Sequence, residues 1–169
     1  VYDEEGWNLD PYYKLGDPFY SEVSNYRVEL IIPSDYYPVS TGVIVDKEVL
    51  RDKVKYYIVA DNVRDFAVVL SDKFKKEEAW VDNIKVISYY FDDKYKKESL
   101  QYAADSIKIF NDLFGKYPYK EFEVVASDFY IGGMEYPNMV MIDNDVYSYR
   151  YPDILEYIIV HETAHQWWY

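Results

Sequence analysis

Two histidines lie four residues apart in the segment VHETAHQWWY of residues 160–169, and the chain contains no others. On an α-helix, residues four apart are separated by about one turn on the same face, so His161 and His165 can present two imidazole nitrogens to one ion. The chain has no cysteine, so any metal must be held by His, Asp or Glu side chains. Because neutral imidazole suits zinc, the H-E-x-x-H pattern predicts a Zn²⁺ site.

Glu162 directly follows the first histidine of this pattern. The offset of one residue puts its carboxylate beside the metal, within reach of a metal-bound water whose proton it can accept. Zinc lowers the pKa of its water to roughly 7, so a neighbouring carboxylate can complete the deprotonation. Short motifs also arise by chance on amphipathic helices. The apolar approach ILEYIIV and the placement of both histidines favour the zinc interpretation.

A second candidate segment is IGGMEYPNMV, residues 131–140. The paired glycines Gly132 and Gly133 permit close approach of the backbone to a ligand, and Glu135 follows them on a predicted loop, where it can meet a cation. Taken alone, this pattern is typical of a tight turn with a surface glutamate. The segment IGGMEYPNMV indicates a functional site only when it is considered together with the histidine helix.

Together, GGMEYP and HETAHQW resemble the two hallmark motifs of the zinc aminopeptidases typified by aminopeptidase N and leukotriene-hydrolase, which belong to the gluzincins. In that family a G-x-M-E-N segment precedes an H-E-x-x-H-x-W helix, and here His161 lies 28 positions after Gly133. The resemblance covers essentially the whole chain and is strongest from Tyr130 to Trp167. It implies a peptidase that acts on substrates with a free N-terminus.

The resemblance also implies a role for each matching residue. His161 and His165 would be zinc ligands, and Glu162 would be the general base. Glu135 would bind the α-amino group of a peptide substrate, while Gly132 and Gly133 would line the cleft through backbone contacts. Charge attraction between a carboxylate and an ammonium in a partly dry cleft is the physical basis of such amine recognition.

The chain departs from the family pattern at two points. Tyr136 stands where the family motif has Asn, which bears on the details of amine recognition. The third zinc ligand of the family is a Glu on the following helix, and its position falls beyond residue 169, as does that of the family's Tyr that stabilises the transition state. We therefore expect a fragment that lacks the third zinc ligand, binds zinc weakly and is inactive alone.

The first part of the chain reads as β structure. Alternation of apolar and polar residues predicts strands in NYRVELIIP, VKYYIVA and DFAVVL. The side chains predicted to face inward are Tyr26, Val28, Leu30, Ile32, Val54, Tyr56, Ile58, Ala60, Phe66, Val68 and Leu70. The resemblance implies that residues 1–72 are the end of an N-terminal β-sandwich and that residues 73–169 begin a thermolysin-like catalytic domain. The charged segment SDKFKKEEAW, which breaks the strand pattern, is the candidate boundary, with a charged turn inside one domain as the alternative.

The second part mixes strands and helices, so the predicted fold class is α+β. IKVISYYF, EFEVVASDF and NMVMID predict strands, YIGGMEYP a loop and NDVYSYR a polar connection. A stripe at helical spacing predicts a helix that stops at Gly115; it comprises Leu100, Ala103, Ile107, Phe110 and Phe114. A last helix is predicted to open at Pro152 and to run to the end of the chain.

Composition excludes several classes of partner. With 31 acidic and 18 basic residues the net charge is −13, which repels phosphate backbones and anionic lipid. We therefore expect no nucleic-acid partner, and no apolar run approaches the roughly 20 residues of a membrane span. If the helices that usually cover the zinc helix are absent, Ile158, Val160, Trp167 and Trp168 are expected to leave an apolar patch that promotes self-association.

Three functional hypotheses follow from these observations. The first is a zinc-dependent aminopeptidase that removes N-terminal residues by attack of zinc-activated water. The second is a thermolysin-like endopeptidase that does not need Glu135 to bind the α-amino group of a substrate. The third is a non-catalytic pseudo-peptidase that keeps the fold as a binding module; retention of His161, Glu162 and His165 argues against it.

Overall fold

The computed structural model describes residues 2–9, 11, 21–92, 94–150 and 152–168. Within these residues the chain is predominantly β, with two α-helices in its second half, so the predicted α+β class is confirmed. The strands are β1 Tyr2–Asp3, β2 Gly6–Trp7, β3 Ser24–Pro33, β4 Tyr37–Ser40, β5 Val43–Val49, β6 Lys53–Val63, β7 Val68–Ser71, β8 Lys75–Val81, β9 Ile84–Tyr90, β10 Glu121–Ser127, β11 Gly133–Tyr136 and β12 Met139–Asp143. The helices are α1 Lys96–Phe114 and α2 Asp153–Ala164, and a 3₁₀ helix at Asn144–Ser148 lies within the predicted polar connection.

The first part of the described chain forms small antiparallel sheets. Strands β3, β6 and β5 make a three-stranded sheet with β6 in the centre, and β4 pairs with β7. The strands predicted in NYRVELIIP and VKYYIVA are confirmed. In DFAVVL the strand begins only at Val68, and the predicted inward position of Leu70 is wrong. Because β7 pairs with β4, Val69 packs towards the core and Leu70 is 41% exposed.

A five-stranded sheet with the order β11-β12-β10-β9-β8 forms the centre of the second part. Strands β9, β10 and β12 run parallel, whereas β8 and β11 pair antiparallel at the two edges. One face packs against both helices in a single cluster that includes Val86, Val124, Ile142, Ile107 and Ile159. Full burial of each such side chain contributes roughly 1.5–3 kcal/mol. This face therefore fixes the position of α2 on the sheet.

The opposite face of the five-stranded sheet contacts the first part of the chain. Val39 of β4 packs with Ile87, Tyr89, Val125 and Met139. Coverage of both faces explains why β9 and β10 are buried almost throughout, as is usual for the parallel strands of such a sheet. The described strands up to Ser71 and those from Lys75 onward belong to separate sheets, so the joint between the two parts depends on side-chain packing and on hydrogen bonds from side chains to backbone groups, such as Asn138 to Gly42.

The charged segment SDKFKKEEAW contains a strand, so the prediction that it interrupts the β pattern is wrong. Strand β8 lies at an edge of the sheet, where its charged side chains remain in water. Glu78 forms ion pairs with Lys76 at 3.3 Å and with Lys85 of β9 at 2.9 Å. Charge therefore stabilises pairing here in place of apolar alternation. The division into two domains at residue 72 stays a prediction.

Helix α1 follows the predicted stripe and ends where expected. Ala103 and Ile107 are fully buried, whereas Phe114 at the last turn is 51% exposed. Gly115 follows with a φ of 114°, a conformation that favours glycine. Neither described helix combines the length and the apolarity that crossing a bilayer requires.

Helix α2 ends at Ala164, so the predicted continuation to the end of the chain is wrong. The following residues form a turn in which Trp167 and Trp168 donate their backbone N–H groups to Ala164 O. This turn is held on the end of α1, because Trp167 Nε1 donates to Gly115 O at 2.9 Å and its ring packs on Phe110 at 5.4 Å. Tyr169 lies outside the described residues.

The apolar patch predicted on this helix is only partly exposed. Trp168 is 51% exposed, whereas Ile158, Val160 and Trp167 are half-buried. The ring of Trp168 packs edge-on against Phe114 at 4.5 Å. Self-association through this surface stays a prediction.

Candidate functional site

The last turn of α2 brings the two histidines together as the helical spacing predicts. The Nε2 atoms of His161 and His165 lie 3.3 Å apart. Two nitrogen ligands at about 2.05 Å from a tetrahedral zinc ion are separated by about 3.3 Å, so the pair has the spacing of two ligands of one ion. His161 is exposed and its ring stacks on Tyr157 with 5.9 Å between centroids.

A backbone contact orients the ring of His165. Its Nδ1 lies 2.9 Å from the carbonyl oxygen of Trp168. A carbonyl only accepts hydrogen bonds, so the neutral tautomer that fits this contact has its proton on Nδ1 and its lone pair on Nε2, the atom that faces His161. Metal-binding histidines usually have such a partner on the second nitrogen, which fixes tautomer and orientation. His165 is therefore prepared to bind a metal through Nε2.

Glu162 lies on the buried side of α2 and is 6% exposed. Its side chain packs against the backbone of Gly133 at the start of β11. A Cβ atom at Gly133 would overlap Glu162 Oε1 and would lie 2.6 Å from Glu162 Cγ. Close approach of the glycine backbone was predicted, and the group it approaches within this chain is the candidate base.

The neighbouring Gly132 has a different role. Its φ of +75° is a left-handed conformation, and a Cβ there would meet Ile158 Cδ1 at an ordinary 3.6 Å. Gly132 O also accepts a hydrogen bond from Asp143 N at 2.7 Å. The pair of glycines thus combines a backbone turn at Gly132 with a tight contact at Gly133.

Glu135 lies on an edge strand, so the prediction of a loop across residues 130–137 is wrong for its second half. Strand β11 pairs with β12 from Gly133 opposite Ile142 to Tyr136 opposite Met139. The intervening Pro137–Asn138 turn, with Asn138 at φ 56°, has the residue pattern of a type II turn. The sequence pattern does not predict this strand, because the two glycines and the proline in the segment are poor strand formers.

The edge strand and the helix together form a cluster of possible metal donors. One carboxylate oxygen each from Glu135 and Glu162 and one ring nitrogen of His165 all lie within 4.8 Å of one another. His161 joins this cluster through its contact with His165. Two carboxylates beside two imidazoles provide the oxygen and nitrogen donors that zinc accepts, and their negative charge favours a cation.

Two further residues at the site were missed by the motif argument. The side chain of Gln166 contacts the backbone of the β11–β12 turn, and the side chain of Asn138 contacts the backbone of Gly42. The sequence carries only a weak signal for them. A Pro-Asn pair predicts a turn, and Gln166 is a polar residue between the second histidine and Trp167.

Comparison with known proteins was made by sequence and by structure. No protein-family model matches the chain, and a sequence search of curated proteins also found no match. Among solved structures, the chain has the fold of one part of the M1 zinc metallopeptidases. This likeness establishes the fold of the chain.

Two of these structures come from one organism. The first is the crystal structure of an M1 zinc metallopeptidase from Deinococcus radiodurans, with a TM-score of 0.70 and 15% identity, covering 89% of this chain and 35% of that chain. The second is a point mutant of an M1 zinc metallopeptidase from the same organism, with a TM-score of 0.69 and 14% identity, covering the same 89% and 35%. The chain thus spans about a third of the length of the proteins it resembles.

Proposed function

We propose that the chain is part of a zinc-dependent metallopeptidase of the M1 type and that this peptidase is an aminopeptidase. The observation that carries the proposal is the 3.3 Å separation of the Nε2 atoms of His161 and His165, with Glu162 and Glu135 beside them. The fold of the solved M1 zinc metallopeptidases supports the same class. Glu135 on the adjoining edge strand is the basis for proposing an aminopeptidase in particular.

His161 and His165 would hold the zinc ion through their Nε2 atoms. When bound, zinc supplies a water of lowered pKa and polarises the carbonyl of the scissile bond. The hydrogen bond from His165 Nδ1 to Trp168 O keeps the second ring in the metal-binding tautomer. One carboxylate oxygen each of Glu135 and Glu162 lies within 4.8 Å of a ring nitrogen of His165, where the two side chains would serve in amine binding and proton transfer rather than as zinc ligands.

Glu162 is the proposed general base. Its carboxylate lies beside His165, within the 4.8 Å cluster, and is 6% exposed. In this position it can accept a proton from an attacking water and deliver it to the leaving amine. Contact with Gly133 restricts the side chain to this location.

Glu135 is the proposed binding group for the substrate's α-amino group. A peptide that lies along β11 in an extended conformation would bring its first residues past Glu135 and towards the histidine pair. An ammonium placed there gains charge attraction in a site partly shielded from water. Loss of this contact would weaken binding of free peptides and leave N-blocked peptides unaffected.

Binding of a two-point probe tests the proposal. Leucine hydroxamate has a free amine beside a zinc-chelating group, and its N-acetyl derivative lacks the charged amine. By calorimetry on the zinc-loaded chain, the free amine should bind at least tenfold more tightly than the acetyl form, and Glu135→Gln should remove this preference. Equal binding of both probes to the zinc-loaded chain would favour the endopeptidase.

Turnover by the isolated chain is expected to be low. The chain covers 35% of the length of the solved M1 zinc metallopeptidase, and two histidines alone hold zinc weakly. A chromogenic aminoacyl substrate with added zinc measures this directly. Robust turnover would contradict the expectation that the chain lacks a required ligand.

A further inference from the structure

The side-chain amide of Gln166 is hydrogen-bonded at both ends to the backbone of one turn. Gln166 Oε1 accepts from Asn138 N at 2.8 Å, and Gln166 Nε2 donates to Tyr136 O at 3.0 Å. The two backbone groups flank Pro137, which cannot donate a hydrogen bond. One amide therefore holds both sides of the turn between β11 and β12.

Gln166 is covalently next to the proposed metal ligand, and the turn it holds is next to the proposed amine-binding residue. His165 immediately precedes Gln166, and Glu135 immediately precedes Tyr136. The backbone N–H of Gln166 donates to Thr163 O at 3.1 Å, which fixes its position in the turn that follows α2. The hydrogen bond to Tyr136 O is thus a short link between the histidine pair and Glu135.

The turn has other contacts that are sufficient to form it. Pairing of Tyr136 with Met139 closes the hairpin. Asn138, which is 2% exposed, accepts from Gly42 N at 2.9 Å, donates to Gly42 O at 3.3 Å and accepts from Glu123 N at 2.9 Å. The distinct contribution of Gln166 is therefore the placement of the hairpin relative to α2.

Strand β11 depends on this placement because it is an edge strand. Among the residues that the structure describes, it has a strand partner, β12, on one side only. On the side of α2, its position is set by side-chain contacts, notably the packing of Gly133 on Glu162 at one end and the bond to Gln166 at the other. Loss of the second contact removes the hydrogen bond that ties the Glu135 end of the strand to the segment following α2.

We propose that Gln166 is a positioning residue for peptide binding, which holds Glu135 at a fixed separation from the histidine pair so that both act on one substrate. This inference rests on the proposed function. It predicts that Gln166 affects ligands that need both groups and spares ligands that need only zinc. A residue with a merely structural role would affect both kinds of ligand together.

The test compares Gln166→Met with Gln101→Met, a matched change in an exposed glutamine on α1 that donates to Asp105. Leucine hydroxamate and its N-acetyl derivative are titrated into each zinc-loaded chain, and amide hydrogen exchange is followed at Asn138. In Gln166→Met we expect exchange at Asn138 to accelerate at least tenfold and the preference for the free amine to fall about tenfold. Affinities for zinc and for the acetyl probe should change less than threefold, and Gln101→Met should change nothing.

The outcomes separate this inference from the proposed function. A preference for the free amine that survives Gln166→Met overturns the positioning role alone, whatever the exchange rate. Parallel loss of zinc, acetyl-probe and free-amine affinity also overturns it, because the residue would then support the fold in general. If the unsubstituted chain has no preference for the free amine, the aminopeptidase proposal fails and the role of Gln166 in peptide binding fails with it.

Discussion

Gly133 lies against the side chain of Glu162 so closely that no other residue fits without displacing the glutamate. The contact joins the first residue of β11 to the middle of the H-E-x-x-H segment. It therefore connects the two sequence motifs directly, and the glycine at this position is required by a side chain of the same chain. At the Gly133 end of β11, this contact limits how closely the strand and α2 approach each other.

Substitution of Gly133 by Ala should be destabilising through Glu162. The new Cβ would lie 2.6 Å from Glu162 Cγ, so we expect a cost of roughly 1–3 kcal/mol from overpacking. Combining it with Glu162→Ala removes the atoms that clash. A double-mutant cycle measured by urea unfolding should give a coupling free energy of about 1 kcal/mol or more between the two positions.

Gly132→Ala is the control for this cycle. Its cost, about 1–2 kcal/mol, arises from the left-handed φ of +75° and involves no contact with Glu162. It should therefore show no coupling with Glu162→Ala. Additive effects of Gly133→Ala and Glu162→Ala would contradict the packing explanation.

Asn138 links the turn of the β11–β12 hairpin to Gly42 in the first part of the chain. Replacement by Gly keeps the φ of 56° accessible and removes both side-chain hydrogen bonds. We expect the free energy of unfolding to fall by roughly 1–3 kcal/mol, since a buried pair of bonds is lost. Asn62→Gly is the control, because this exposed residue has the same φ of 56°. Equal effects of the two substitutions would rule out a contribution from the bonds to Gly42.

Glu123 makes the joint between the two parts sensitive to pH. It lines a cavity of about 120 Å³ that also contacts Lys76, Lys85, Tyr37 and Glu121, and it accepts a hydrogen bond from Tyr89 OH at 3.3 Å. Burial raises the pKa of Glu123 from 4.5 to about 8, with a smaller contribution from the charge of Glu121. The folded chain therefore keeps a proton on Glu123 at neutral pH.

The sign of the effect follows from this shift in pKa. Between pH 4.5 and about 8 the folded state holds a proton on Glu123 that the unfolded state has lost, so the free energy of unfolding falls as pH rises through this window. The contribution of protonated Glu123 to the free energy of unfolding is fully present below pH 4.5 and is lost above about pH 8. It amounts to up to roughly 5 kcal/mol. Glu123→Gln should remove this part of the pH dependence.

Urea unfolding at pH 5 and pH 8 measures the difference between the unsubstituted chain and Glu123→Gln. All other groups titrate in both proteins, so the comparison isolates Glu123. Glu4→Gln, at an exposed position, is the control and should leave the pH dependence unchanged. An identical pH dependence in Glu123→Gln and the unsubstituted chain would refute the prediction.

Zinc should stabilise the folded chain through the histidine pair. A ligand at a hundredfold excess over its Kd adds about 2.7 kcal/mol, which corresponds to a rise in Tm of roughly 5–10 °C for a chain of this size. His161→Ala and His165→Ala should each abolish the rise, and a chelator should reverse it. Calcium, which prefers oxygen ligands, is the control ion and should have little effect. A rise that persists in both variants would place the zinc elsewhere.

The elements predicted correctly are those whose pattern is periodic and local. Helix α1 follows from the stripe around Ala103 and Ile107, and the approach of His161 to His165 follows from their spacing on one turn. Strand β8 was missed because ion pairs such as Glu78 with Lys85 replace apolar alternation. Apolar periodicity in a sequence indicates which side chains are buried, and none of the side chains of β8 is fully buried.

The remaining errors come from contacts that are distant in sequence. The end of α2 was misplaced because the turn after it is held by Gln166 on Asn138, 28 positions earlier, and by Trp167 on Gly115, 52 positions earlier. The loop prediction for β11 is wrong because the strand forms by pairing with β12 despite its glycine. No local signal encodes these partners, so only the folded arrangement reveals them.

The packing of Trp167 on the end of α1 also determines how force travels through the molecule. One hydrogen bond to Gly115 and the ring contact with Phe110 join the end of α1 to the turn that carries the carbonyl partner of His165. Helix α1 has 19 residues and is about 28 Å long, and at its other end Tyr95 OH donates to Arg150 O, shortly before α2, at 2.8 Å. A displacement of α1 would therefore be transmitted to both ends of the segment that carries the histidine pair.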